Sequence, residues 1–489
     1  MKPVAQPQPR RRLVLAASMM AMFIAAVESS IVATAMPTIV AELGGFQLFS
    51  WVFSAYLLTQ TVTIPIYGRM ADLYGRKRVF YLGTGIFIIG SLLCGFADGM
   101  VTLIIFRAIQ GFGSGAVLPI ATTIVGDVYT GEERARIQGY LSSVWGIAAI
   151  LGPTLGAFLV QHAYWPIIFW INVPIGIAAI AMIAAFLNER LVPKQHQVDY
   201  FGAGLMTFGI GLLMFVMTEA DSFSWGQIAI MTVCALVALA WLFVRERHAT
   251  EPMLPLALWR NRVVSASNLG GFSMGMAMMG VTAFLPAYIQ GVMGETATVA
   301  GIALTIMSLT WSGASTISGF VMVRASFRTS AAFGGFCLFA GSVMLVLMIP
   351  NHGLIWAIIA SSLVGAGLGA CNTTFLVAIQ SNVDWQMRGI ATSSNLFSRM
   401  MGRSLGAAVF GAVLNFGVNR HLPGGGDVLD RLMDPTFRDG LDPVEITRLT
   451  AVIADSLRDV YIIAAITAAA TLVITLAFPA RLRPSKRLH

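Results

Sequence analysis

The stretch Gly68-Arg69-Met70-Ala71-Asp72-Leu73-Tyr74-Gly75-Arg76-Lys77-Arg78 separates two apolar runs, 48–67 and 79–97. Glycines at both ends permit a tight turn. Asp72 is its single acid, placed among cations, and can cap a helix N-terminus where the dipole favours negative charge. Cations gathered in so short a connector between long apolar runs mark a loop held on one side of a membrane.

Outward from this loop the same alternation repeats. Apolar runs lie near 13–36, 48–67, 79–97, 101–124, 138–160, 166–187, 200–218, 226–244, 263–290, 298–322, 329–349, 354–378, 396–418 and 458–478, fourteen in all. Each approaches the ~20 residues that a helix needs to cross hydrocarbon. Helices are expected, because an open sheet cannot satisfy its backbone in lipid. Composition agrees: the 489 residues are 57% hydrophobic and 11% charged, with a mean hydropathy of +0.77, whereas soluble domains are about 25% charged. Disorder, a secreted disulfide scaffold and a nucleic-acid binder are excluded, since the net charge of +8 sits in short loops. The expected class is an all-α integral membrane protein.

Orientation follows from Lys and Arg. They gather before the first run (Lys2, Arg10, Arg11, Arg12), after the last (Arg481, Arg483, Lys486, Arg487) and in every second connector, while the short alternate loops carry none. The positive-inside rule then puts both termini of this multi-pass protein in the cytoplasm; the expected location is a bacterial inner membrane. The first run is too long for a signal peptide and contains Glu28, so it reads as a retained span. The long outer segment 419–457 carries Pro423-Gly424-Gly425-Gly426 and is expected to be a small hairpin or helix pair rather than a domain, with Asp442–Leu457 able to form an amphipathic helix starting near Asp442-Pro443.

Enzyme chemistry is not in evidence. Cys94, Cys234, Cys337 and Cys371 lie singly in apolar runs, and the six histidines share no ligand spacing, so no metal and no cofactor is expected beyond protons. Glu28 is the acid that lies well inside a run. An embedded acid is a functional candidate by default, because an ionised carboxylate is costly in hydrocarbon. Arg107 is embedded too and stays charged. Glu28 lies nine residues before Pro37 at the outer end, about 13 Å by helical rise, and Arg107 about 9 Å from the outer start of its run. The two share a depth and can pair. One reading is a static pair that joins two helices; the other is proton coupling.

The opening loop resembles the G-x-x-x-D-x-x-G-R-[KR]-[KR] signature of the major facilitator superfamily. Further blocks are similar to that family's fourteen-span drug:proton antiporters, in the same order: Glu28-Ser29-Ser30-Ile31-Val32-Ala33-Thr34-Ala35-Met36-Pro37, Arg107-Ala108-Ile109-Gln110-Gly111-Phe112-Gly113, Gly152-Pro153-Thr154-Leu155-Gly156 and Phe169-Trp170-Ile171-Asn172-Val173-Pro174-Ile175-Gly176. The resemblance implies a facilitator fold of two six-helix bundles, 13–187 and 263–478, around a central cavity, with two additional helices, 200–244, between them. It implies a proton-coupled exporter in which Glu28 and Arg107 couple the proton, Gly68, Asp72, Gly75, Arg76 and Arg78 control conformation, and Gly152, Pro153 and Gly156 form an antiporter motif. The chain departs from the family in carrying Glu28 where Asp is usual, Arg403 where a glycine is usual, and no further acid in the second-half spans.

The expected cargo is small, amphipathic, and cationic or neutral; the lipid bilayer is the other partner, and a periplasmic adaptor stays open. Candidates for substrate contact are Tyr56, Gln60, Trp145, Phe284, Tyr288 and Asn372. The polar residues Gln60, Gln110, Asn172, Asn268, Asn372, Asn395 and Asn415 are otherwise expected to hydrogen-bond between helices. The alternatives are a transporter of one metabolite, lipid or siderophore on the same fold, or a membrane receptor without transport. The orientation predicts that Gly425→Cys reacts with an impermeant thiol reagent on intact cells and Arg76→Cys does not; the reverse pattern would overturn it.

Overall fold

The computed structural model describes residues 8–44, 48–129, 132–162, 164–189, 199–219, 223–247, 256–349, 353–421 and 442–479. Among them there are helices and no strand. The segment Pro423–Gly426, the basic residues Lys2, Arg190 and Lys194 and those from Arg481 onward, and the side chains of Pro153 and Asn415 lie outside the described residues.

Each apolar run is occupied by a helix. These are α1 (Gln8–Leu43), α2 (Phe49–Tyr74), α3 (Arg76–Cys94), α4 (Met100–Val128), α5 (Glu132–His162) and α6 (Ile167–Phe186, interrupted at Ile171). The pair α7 (Tyr200–Glu219) and α8 (Trp225–Glu246) follows. Then come α9 (Arg262–Val292), α10 (Ala297–Arg324), α11 (Phe327–Val346), α12 (Gly353–Asn382), α13 (Arg388–His421) and α14 (Pro443–Leu476). Ten helices of the described residues are long and apolar enough to cross a membrane.

The chain divides into two compact units. The first takes the described residues up to Ser265 together with Leu376–Phe397; the second takes Ala266–Phe375 and the described residues from Ser398 on. The pair α7 and α8 thus falls in the first unit, as do the adjoining ends of α12 and α13.

Glycine spacing explains how α4 holds two neighbours. Gly111 and Gly115 are one turn apart and share a face. A Cβ at Gly111 would meet the Tyr56 carbonyl oxygen of α2 at 2.3 Å, and one at Gly113 the Phe87 nitrogen of α3 at 2.2 Å. The alternating glycines therefore let the backbones of α2 and α3 both touch α4, the close approach that small residues give membrane helices. The second unit repeats the device. Gly365 and Gly369 of α12 meet the Met307 and Trp311 carbonyls of α10, and Gly367 meets the Leu338 nitrogen of α11. Around this scaffold α1 packs against α4, α5 and α6 and buries Val14, Ala17, Ala21 and Ile24.

The amphipathic stretch from Asp442 is not a separate helix. Asp442 caps α14 by accepting a hydrogen bond from the Val444 N–H at 3.2 Å, with Pro443 in the first turn. From there α14 continues unbroken through the last apolar run to Leu476. Proline at this position costs no hydrogen bond, because the first helical N–H groups have no partner inside the helix.

Gly113→Ala should therefore destabilise the protein by about 1–3 kcal/mol through overpacking, read as a lower Tm in detergent. Gly85→Ala, where a Cβ would meet nothing within 4 Å, should leave it unchanged. Equal Tm values for the two variants would contradict the α3–α4 contact.

Candidate functional site

Glu28 is fully enclosed in the first unit, at 0% exposure, and Arg107 at 1%. Arg107 Nη1 donates to Glu28 Oε1 at 2.5 Å, and Asn172 Nδ2 donates to Glu28 Oε2 at 2.5 Å. Both carboxylate oxygens thus have a donor. Arg107 also donates to the Val52 carbonyl at 3.2 Å and to Gln110 Oε1 at 2.6 Å. Gln110 Nε2 in turn donates to Ser91 Oγ at 2.6 Å. The Tyr56 ring lies 4.2 Å below the guanidinium carbon, a cation–π arrangement that favours a desolvated arginine. Residues from α1, α2, α3, α4 and α6 meet here.

The helices dictate this convergence. Gln110 is one turn from Arg107 on α4, so its amide lies beside the guanidinium. Gly111, next in sequence, lets α2 approach closely enough to bring Tyr56 under Arg107. Asn172 opens the second segment of α6, just past the interruption at Ile171. Sequence reasoning grouped Asn172 and Gln110 with interhelical polar residues and did not assign them to Glu28; their own depth in span six and their spacing from Arg107 were the available signals.

The substrate candidates are distributed across both units. Tyr56 Oη and Ser114 Oγ are 2.7 Å apart, and Gln60 Nε2 donates to the same hydroxyl at 2.8 Å. Trp145 is 36% exposed. In the second unit the Phe284 ring stands edge-on to Phe410, Tyr288 Oη donates to the Met348 carbonyl at 3.2 Å, and Asn372 Oδ1 accepts from Arg399. Gly152 and Gly156 are buried in α5.

A second cluster forms around Asp72. Its Oδ1 accepts from the Gly389 N–H at 2.9 Å and from Arg76 Nη2 at 2.7 Å; its Oδ2 accepts from the Ile390 N–H at 2.8 Å. The acid therefore caps the N-terminus of α13, where free N–H groups and the helix dipole both favour it. Arg76 also donates to the Trp385 carbonyl at 2.6 Å and lies 3.0 Å from Asp127, which Arg388 pairs with in turn. Arg134 donates to the Gly126 carbonyl at 2.5 Å and to Ser381 Oγ at 3.2 Å. Both motif glycines have a reason. Gly75 adopts φ +94°, and a Cβ at Gly68 would meet Ser393 Oγ at 2.1 Å. Arg78 is exposed, while Glu189 accepts from the Arg76 and Lys77 N–H groups at 2.8 and 2.9 Å. Asp127, Arg134, Arg388 and the start of α13 were not singled out in the sequence, because they lie far from the loop along the chain.

Asp199, in the connector before α7, accepts a two-pronged bond from Arg245, with Nε 3.0 Å from each carboxylate oxygen. Burial would raise this carboxyl, but the Arg245 bonds and the Gly202 N–H hold it below the usual range. Among the described residues no His, Cys, Asp and Glu group is arranged to bind a metal.

The Major Facilitator Superfamily profile matches residues 18–407. Multidrug resistance protein 3 of Bacillus subtilis (strain 168) is 35% identical over 409 residues, covering 83% of this chain and 80% of that one. The multidrug transporter protein MdtP of the same organism is 34% identical over 411 residues, covering 83% and 76%. Among solved structures, a proton:xylose symporter of the same superfamily, bound to a sugar analogue, superposes with a TM-score of 0.65 at 10% identity, covering 98% of this chain and 97% of its own. That last likeness concerns the fold alone.

Removing one partner of a buried pair leaves an uncompensated charge, at a cost of about 3–5 kcal/mol. Arg107→Met should therefore lower Tm in detergent more than the double variant Glu28→Gln/Arg107→Met. A double variant as unstable as the sum of the two single ones would show that the groups are not coupled.

Proposed function

The chain belongs to the Major Facilitator Superfamily and is a multi-pass membrane transporter of the multidrug type rather than an enzyme, and on that premise we propose that it is a proton-coupled antiporter that exports amphipathic compounds from the cytoplasm. In this reading all fourteen helices cross a bacterial inner membrane and both termini are cytoplasmic. The observation that carries it is the enclosed Glu28 carboxylate, held by Arg107 and Asn172.

A coupling acid must be able to change charge without collapsing its surroundings. When Glu28 takes a proton, Arg107 loses its counter-ion but keeps the Val52 carbonyl, the Gln110 amide oxygen and the Tyr56 ring. Those partners supply the solvation that hydrocarbon lacks. Protonation therefore releases the α1–α4 tie selectively and leaves the arginine in place. Proton loss restores the pair. Substrate and proton exclude one another when substrate binding requires one state of this tie, which is the requirement for antiport. The transmembrane proton gradient is the energy source.

The Asp72 cluster supplies the second element, a latch. The conformation described here ties the C-terminal turn of α2, at Asp72, to the start of α13 through two backbone N–H groups, with Arg76 of α3 on the same carboxylate. Those bonds stabilise the state closed at this end, through which the cycle must pass; weakening them depopulates that state, so the latch governs exchange and not the affinity for substrate. The relatives named for multidrug resistance and multidrug transport support a cargo of broad chemistry.

Two measurements test the reading. In proteoliposomes an imposed proton gradient should drive dye efflux by the wild type and not by Glu28→Gln; gradient-driven efflux that persists in Glu28→Gln would place the proton on another group. Asp72→Asn should slow transport at least several-fold, as charge-assisted bonds are worth about 1.5–3 kcal/mol, while equilibrium binding in detergent changes little. Lost binding with unchanged exchange would remove the latch.

A further inference from the structure

The second unit contains two embedded arginines that no carboxylate among the described residues pairs with. Arg399 and Arg403 stand one turn apart on α13 and so share a face. Each is partly buried. By helical rise Arg403 lies about 10 Å inside the apolar run 396–418. Arg399 donates to Asn372 Oδ1 and feels the charge of Arg403. Among the described residues Arg403 has no hydrogen-bond partner, and neither arginine pairs with a carboxylate. Gly275 of α9 presses on the backbone between them, where a Cβ would meet the Arg399 carbonyl oxygen at 2.3 Å.

The described acids of this unit cannot help. Glu295 lies in the connector before α10, and Asp442, Glu445, Asp455 and Asp459 lie in or at the first half of α14. By helical rise Asp459 opens the last apolar run on the order of 20 Å along the membrane normal from Arg403. The contrast with the first unit is plain: there the embedded Arg107 meets Glu28 at 2.5 Å. Arginine does not shed its proton, and two like charges one turn apart repel. A pair of guanidinium groups with unused donors matches an anion, which can accept several charge-assisted bonds at once.

We propose that Arg399 and Arg403 form an anion subsite in the second unit that receives the carboxylate, sulfonate or phosphate group of an amphipathic substrate. Asn372 orients Arg399, and Arg403 supplies the open donors. The inference rests on the transport of amphipathic compounds proposed above and replaces the expected cationic or neutral cargo with an anionic one, since a cation here would be repelled. The same chemistry would accept the headgroup of an anionic lipid. The depth of Arg403 favours a free amphipathic anion, because headgroups stay at the bilayer surface.

The test is equilibrium binding of three pyrene probes to the full-length protein in phosphatidylcholine nanodiscs, corrected for empty nanodiscs. The probes are 1-pyrenebutanoate, 1-pyrenebutanol and pyrenebutyl-trimethylammonium. The wild type should bind the carboxylate about 10-fold or more tightly than the alcohol, the size of a charge-assisted bond, and the ammonium most weakly. Arg403→Gln and Arg399→Gln should erase the carboxylate preference and leave alcohol binding unchanged, and Arg403→Lys should keep part of it. Equal affinity for carboxylate and alcohol in the wild type overturns the proposal. So does a carboxylate preference that survives in both Gln variants. If phosphatidylglycerol in the nanodisc abolishes the preference, and native mass spectrometry shows it retained by the wild type and lost from Arg403→Gln, the site holds lipid and the substrate assignment fails. Because no gradient is imposed, the assay is independent of proton coupling. Alcohol efflux under a gradient without carboxylate preference sinks this inference alone; a carboxylate preference without gradient-driven efflux sinks the antiport reading alone.

Discussion

A carboxylate in the middle of an apolar helix survives only if donors reach both of its oxygens, and much of the first unit is arranged to meet that demand. Glu28 on α1 needs Arg107 from α4 and Asn172 from α6. Arg107 in turn needs Val52, Gln110 and the Tyr56 ring, which are available only because glycines in α4 let α2 come within backbone contact. The small-residue packing and the charged site are one construction. An interior of apolar side chains alone would be simpler to fold, and often as stable as a buried ion pair. The retained pair therefore points to use rather than to stability.

The two units share a scaffold but not a chemistry. The α4 glycines at 111, 113 and 115 have counterparts in α12 at 365, 367 and 369, with the same division of neighbours. Four residues before the first of each set stands Arg107 in one unit and Ser361 in the other. Ser361 is satisfied by the Ala303 and Ile358 carbonyls, without an ion pair. The backbone contacts of the fold have thus been kept while the titratable centre belongs to one unit. In the other unit the embedded charges among the described residues are Arg399 and Arg403.

The reach of sequence reasoning followed the range of the interactions. Helices were legible because hydrocarbon imposes their length and hydropathy. The shared depth of Glu28 and Arg107 was legible because helical rise is constant. The loop motif was legible only in part: Gly75 does take a positive φ and parts α2 from α3, but Gly68–Tyr74, expected as loop, is the helical end of α2. The partners of Asp72 were not, because the Gly389 and Ile390 N–H groups are backbone atoms more than three hundred residues away and carry no side-chain identity to read. The substrate candidates show the same limit. Tyr288 looked available, yet its hydroxyl is bonded to the Met348 carbonyl, and Asn372 serves Arg399. Nor did the polarity of Asp442–Leu457 show that this stretch is continuous with the final span.

That continuity has a mechanical consequence. At 1.5 Å per residue the 34 residues of α14 measure about 50 Å, against about 30 Å of hydrocarbon. Roughly 20 Å of stiff helix therefore projects past the lipid as part of the same rod. A rod has no joint at the membrane surface, so a tilt of about 15° in the embedded part would sweep the projecting tip through about 5 Å. Small reorientations within the bilayer are amplified into displacements beyond it, where a label near Asp442 would register them as distance.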